Sequence, residues 1–165
     1  MNVRAGVGFD IHQTDRERPL ILGGVRIDDA PFGLAGHSDA DVLLHAIIDA
    51  CLGALALGDI GRHFPDDDPQ WKDADSKDLM RQVTALLQER GWMPGNVDVT
   101  VIAEHPKLAP WVEPMRVSIA SILGCPTDAV SVKATTHEGL GALGAGEGIA
   151  AMAVALLFPR PEVDV

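Results

Sequence analysis

Residues 36–59 read GHSDADVLLHAIIDACLGALALGD. Ser38, followed three residues later by Asp41, resembles a capping box with Asp in the usual Glu position, and the apolar run behind it predicts a helix over 39–57. A helix that is apolar nearly all round has to be buried, so this segment forms the core on which the other elements pack. Three polar residues interrupt it, Asp41, His45 and Asp49. Spaced by four, they lie in one line along a single face. A wet edge accounts for such a stripe, and Asp49 is read that way. A lone histidine in a buried helix is ordinarily a hydrogen-bonded core residue, so His45 needs partners before it means more.

Those partners are found in MNVRAGVGFDIH, residues 1–12. Residues 3–9 read as a strand, and in extended chain residues two apart point the same way, so Asp10 and His12 present a carboxylate and an imidazole side by side. Taken alone the pair is half of a metal site, an Asp–His hydrogen bond or a coincidence. With His45 it becomes two imidazoles and a carboxylate, a set that suits zinc with three protein ligands and an open fourth position. A structural zinc site would want four protein ligands rich in cysteine, and neither Cys51 nor Cys125 sits in a CxxC spacing. Asp41, one turn before His45, is placed to orient the ring as an acceptor behind the ligand. Spacing alone does not choose among six histidines.

Outward from this core, LILGGVRI at 20–27 predicts a hairpin around Gly23-Gly24. SKDLMRQVTALLQERG predicts a second helix, with Ser76 as its N-cap and Gly91 as its stop. VDVTVIA at 97–103 and VSVKATT at 130–136 read as strands, with a third helix over 111–123 ending before Gly124. In GIAAMAVALLF, Ala151, Ala153 and Ala155 fall on one side, with Met152, Val154, Leu156 and Phe158 on the other. That is the pattern of a strand covered on both faces, its small side facing something close. The expected architecture is one α/β domain of the α+β type over 1–165, a mixed sheet with helices packed on one face.

The net charge of −11 argues against a nucleic-acid partner, whose backbone demands a basic face. Phosphorylated small molecules remain open to it, provided a metal ion, a few cations or backbone N–H groups compensate locally. No apolar run reaches the roughly 18 residues of a membrane span. The N-terminus shows no basic-then-apolar leader, and the two cysteines read as buried thiols, so a cytoplasmic, reducing setting and no membrane partner are expected.

Four segments, GFDIH at 8–12, GHSDADVLLHA at 36–46, LGDIGRHFPD at 57–66 and VKATTHEGLG…GAGEGIA at 132–150, stand in this order. Over nearly its whole length the chain thereby resembles the 2-C-methyl-D-erythritol 2,4-cyclodiphosphate synthases of the non-mevalonate isoprenoid pathway. The resemblance implies zinc on Asp10, His12 and His45, and a second divalent ion, magnesium or manganese, on Glu138. It implies a homotrimer around a central axis with active sites between subunits, and the small-residue face of the last strand is expected to turn toward that axis. The implied substrate is a CDP-linked methylerythritol 2-phosphate, cyclised with loss of CMP. Asp10, His12, His37, Ser38, Asp59, Ile60, Gly61, Phe64 and Asp66 would bind its erythritol and phosphate portion. Ala103, Pro106, Lys107, Leu108, Ala109, Ala134, Thr135 and Thr136 would bind the nucleotide. His37 and Thr136 carry the implied catalytic contacts, on opposite sides of the phosphate.

Some positions depart from the family pattern. Glu104-His105 replaces a frequent Gln-Ala, Gly139 replaces a frequent Lys, and Ala142 and Ala145 stand where an aromatic residue and an Arg often line the trimer's central cavity. Weak or absent binding of an isoprenoid diphosphate there is the expectation. Two rival readings use the same residues: a zinc hydrolase with Asp41 as base, and a trimeric nucleotide-binding scaffold whose zinc only joins subunits.

Overall fold

Strand β1 (Arg4–Asp15) runs past the predicted end at residue 9 and carries Asp10 and His12 within it. It is described, with the rest of residues 2–161, by a computed structural model. The extension follows from pairing rather than hydrophobicity. β1 lies antiparallel to the last strand, β7 (Gly148–Pro159), in register from Arg4 opposite Leu157 to Gln13 opposite Gly148. Backbone hydrogen bonds therefore continue through the polar DIH segment.

The main sheet has five strands in the order β4 (Gly33–Leu34), β1, β7, β5 (Trp92–Ile102) and β6 (Val130–Thr135). Only β5 and β6 pair in parallel, so the sheet is mixed as expected. The predicted hairpin is β2 (Ile21–Leu22) and β3 (Val25–Arg26). Its turn holds Gly23 and Gly24 at φ 60° and 73°, the left-handed pair that a two-residue turn of this hand requires. Helices α1 (Val42–Ala54), α3 (Ser76–Glu89) and α4 (Val112–Leu123) pack on the sheet, α1 over β1 and β7, α3 against β5 and α4 against β6. The short helices α2 (Ile60–His63) and α5 (Gly141–Gly144) complete the set. Val7, Phe9, Ile11, Met152 and Val154 are exposed on the opposite face of β1 and β7.

Helix α1 is buried along almost its whole length, with Leu43, Leu44, Ile47, Ile48 and Leu52 fully enclosed. Burying each such side chain contributes roughly 2 kcal/mol. The helix reaches the sheet through glycine. A Cβ at Gly6 would stand 1.9 Å from the Ala50 carbonyl oxygen, and one at Gly8 1.9 Å from that of Ala46. Ala151, Ala153 and Ala155 of β7 continue this floor, each at 0 % exposure. The small side of β7 therefore faces α1, and the expectation that it turns toward a central axis is corrected. A helix backbone can lie that close only over small residues.

Two predicted caps also shift by a few residues. Ala40, at φ 59°, cannot continue a right-handed helix, so α1 begins at Val42 with Asp41 itself as the cap, accepting from the Leu44 N–H at 3.0 Å. Ser38 instead accepts from Ala40 N–H in the preceding turn. Asp75 rather than Ser76 caps α3, which leaves the Ser76 hydroxyl for another use. Gly124 closes α4 in the left-handed conformation at φ 67°, as predicted.

Gly8→Ala should destabilise the fold by about 2 kcal/mol, because its methyl meets helix backbone and not a yielding side chain. Thermal unfolding should show the lowered midpoint, whereas Gly91→Ala, with open space around its Cβ, should show only the strain of its positive φ.

Candidate metal centre

His45 projects from the first turn of α1 onto the end of β1 that follows the glycines. Its Nδ1 lies 2.9 Å from Asp10 Oδ2 and 3.2 Å from His12 Nε2, and His12 Nε2 lies 2.9 Å from the same carboxylate oxygen. One ligand atom from each residue falls within 4.8 Å of the others. Two imidazole nitrogens and a carboxylate oxygen converging on one point form a donor set suited to a zinc-like ion.

The outward nitrogens are held in the tautomer that such a donor set needs. His12 Nδ1 lies 2.7 Å from the Ala35 carbonyl, which only accepts, so Nδ1 carries the proton. His45 Nε2 lies 2.9 Å from Ser76 Oγ and 3.2 Å from Ser38 Oγ. Ser76 donates its hydroxyl to Asp39 Oδ1 and so accepts from His45, while Asp39 Oδ2 takes the Ser76 N–H at 3.0 Å. In the neutral rings these outward protons leave each inward nitrogen its lone pair for an ion, the usual arrangement behind metal-ligating histidines, while a ring protonated on both nitrogens donates inward to Asp10.

Burial pushes the Asp10 carboxyl up, but hydrogen bonds and charge from His12 and His45 outweigh it and hold it well below the usual carboxylate range. For His12 burial acts downward, and the contact with Asp10 reverses this to a net rise.

Asp41 does not stand behind His45, and that expectation is corrected. Its fully buried carboxylate accepts from the N–H groups of Gly23 at 2.9 Å, Gly24 at 2.6 Å and Leu44. It pins the β2–β3 turn to the start of α1 instead. Burial and the neighbouring charge of Asp39 push its carboxyl up to about 6 against these three donors. Asp49 is not a wet edge either. Half-buried, it accepts from the Ile60 N–H at 2.7 Å and so fixes the start of α2. Asp59 caps the same short helix through the Arg62 N–H at 2.9 Å.

A cavity of about 410 Å³ opens in front of the centre, lined by Asp10, His12, His37, Ser38, His45, Ile60, Gly61, Phe64 and Asp66. It gathers most of the residues expected to meet the erythritol portion. Trp71, which the sequence did not single out, joins them and packs edge-on against Phe64 with ring centroids 5.0 Å apart. A second cavity of about 300 Å³ is lined by Ala103, Pro106, Lys107, Leu108, Ala109, Ala134, Thr135 and Thr136, with Glu104 beside them. The two cavities share no residue, so His37 and Thr136 line different cavities of one chain. Glu138, at φ 52°, lines neither and accepts from Thr136 Oγ1 at 3.0 Å. Ser76 and Asp39 were also missed. Helical grammar shows a serine near a helix start, and nothing local reveals a histidine 31 residues away.

The lowered Asp10 pKa contributes stability that is present above its unfolded value of 3.8 and is lost as pH falls. The raised His12 pKa contributes stability that is full below 6.5 and is lost as pH rises through the folded value. The difference in metal-free stability between the wild type and Asp10→Asn should therefore be largest between about pH 4 and 6.5 and shrink on either side. Urea unfolding in the presence of a chelator checks this.

The profile of the YgbB family matches residues 3–158. A 2-C-methyl-D-erythritol 2,4-cyclodiphosphate synthase of Thermosynechococcus vestitus is 60% identical over 157 residues, 95% of this chain and 97% of that protein. The synthase of the same name from Salinibacter ruber is 59% identical over 151 residues, 92% of this chain and 96% of that protein. An IspF–CDP complex from Plasmodium falciparum superposes with a TM-score of 0.84 at 36% identity, covering 97% of this chain and 98% of that one. With family profile, relatives and fold in agreement along nearly its whole length, the chain belongs to the YgbB family.

Proposed function

We propose that the chain converts 4-diphosphocytidyl-2-C-methyl-D-erythritol 2-phosphate into 2-C-methyl-D-erythritol 2,4-cyclodiphosphate with release of CMP, as a cyclising phosphorus–oxygen lyase. The observation that carries this reading is the Asp10–His12–His45 centre at the mouth of a cavity edged by His37 and Ser38. The 2-phosphate is already ionised, so no general base is required. Its oxygen forms a bond to the β-phosphorus, and the bond from that phosphorus to the oxygen bridging to the α-phosphate breaks, its electron pair leaving with CMP. The main tasks are alignment and charge neutralisation.

Zinc held by Asp10, His12 and His45, with magnesium or manganese held by Glu138, would supply Lewis-acid polarisation and neutralise the phosphates. The chain's own side chains do the rest. His37 donates to the phosphate at one side and Thr136 at the other. The Ile60–Gly61 backbone, Asp59, Phe64 and Asp66 hold the erythritol, and the second cavity takes the cytidine largely through backbone groups. Because the two cavities share no residue, a neighbouring chain would complete each site in a homotrimer. The exposed apolar face of Val7, Phe9, Ile11, Met152 and Val154 supports such an assembly. The hydrolase alternative loses its base, since Asp41 is enclosed and committed to three backbone N–H groups.

Incubation with the substrate, zinc and magnesium should release CMP and leave no oxygen from labelled water in the cyclic product. His45→Ala should abolish this release. Ser76→Ala should lower zinc affinity by about 10- to 100-fold in chelator competition, a readout independent of turnover.

A further inference from the structure

Arg18, in the loop between β1 and β2, belongs to none of the motifs above and does not line the cavity. Yet its guanidinium donates through Nη1 to the Gly36 carbonyl at 2.6 Å and through Nη2 to the Ser38 carbonyl. These are the carbonyls on either side of His37. The carbonyl of His37 itself accepts from the Asp73 N–H at 2.8 Å, and two residues on, Asp39 donates its N–H to the Ala74 carbonyl at 3.0 Å. Arg18 also approaches the Asp73 carboxylate at 4.0 Å. His37 thus rides on a short strap, tied on one side by Arg18 and on the other by residues 73–74. The strap is pressed onto the metal centre as well: a Cβ at Gly36 would stand 2.9 Å from Ala40 Cβ and 3.1 Å from His12 Cε1.

We propose that Arg18 is a positioning residue for the reaction, its fork across the Gly36 and Ser38 carbonyls fixing the direction in which His37 meets the phosphate. The inference rests on the reading of His37 as a phosphate contact. A planar guanidinium reaches two carbonyls with fixed spacing, which lysine cannot do although it keeps the charge. The Arg18 side chain is 24% exposed; its bond to the Ser38 carbonyl is partly buried, while the bond to Gly36 is open to solvent. Its charge also lies close enough to His12 to act on that ring, so it adds a fixed cation behind an anionic substrate in an acidic protein.

The test uses the full chain with Arg18→Lys and Arg18→Ala, and Arg18→Gln where the alanine variant does not fold. Zinc affinity should remain that of the wild type in Arg18→Lys, which keeps the charge near His12. The ring signals of His37, read by NMR of histidine-labelled protein and assigned with His37→Asn, should broaden or shift in Arg18→Lys. The kcat for CMP release should fall by about 100-fold in Arg18→Lys with a much smaller change in KM. Methylguanidinium should restore both kcat and the His37 signals in Arg18→Ala or Arg18→Gln. Wild-type His37 signals and kcat in Arg18→Lys would overturn the proposal, as would loss of zinc affinity in step with kcat. If the wild type itself releases no CMP, the proposed reaction fails, while the His37 signals still decide whether Arg18 sets that ring.

Discussion

The contact on which this molecule depends is the backbone-to-backbone approach of α1 to β1 and β7. Gly6 and Gly8 admit the carbonyls of Ala50 and Ala46, and three alanines of β7 extend the same floor. Two residues further along β1, on the same side, stand Asp10 and then His12. One residue before Ala46 in α1 stands His45. The spacing that makes the core tight is therefore the spacing that brings three ligand atoms to one point. A side chain inserted at Gly8 would both loosen the core and part the imidazoles, so stability and site share one geometric requirement.

Around this contact, polar side chains join pieces of chain that hydrophobic packing alone would leave free. Asp41 ties the β2–β3 turn to α1, Asp39 ties the start of α3 to the segment leading into α1, and Asp49 ties α2 to the middle of α1. Each carboxylate is used as an acceptor for backbone N–H groups. Anions at helix starts are favoured by the unsatisfied donors there, so an acidic chain builds much of its loop structure from that preference. Those N–H groups also solvate part of the negative charge that a chain of net charge −11 carries.

The apolar pattern of 39–57, the glycine pair at 23–24 and the strand periodicities were sufficient to identify the elements, because each reflects a local rule of backbone and burial. Periods of two and four put Asp10 with His12 on one strand face and His45 on a helix face, but choosing His45 among six histidines took the family resemblance. The roles of Asp41, Asp49, Ser38 and Ser76 were not. Short polar residues near helix starts satisfy the cap rules equally well, and a single left-handed residue, Ala40, decides which of them serves.

The sequence by itself determined that a buried helix and a polar strand end would offer a carboxylate and two imidazoles, because side-chain direction follows from period. Only the tertiary structure decided what stands behind them: Ala35 behind one ring, Ser76 and Asp39 behind the other, Arg18 under His37, and α1 against the small side of β7. Those pairings join residues far apart in the chain, and their energies depend on distances of a few ångströms that no local pattern encodes.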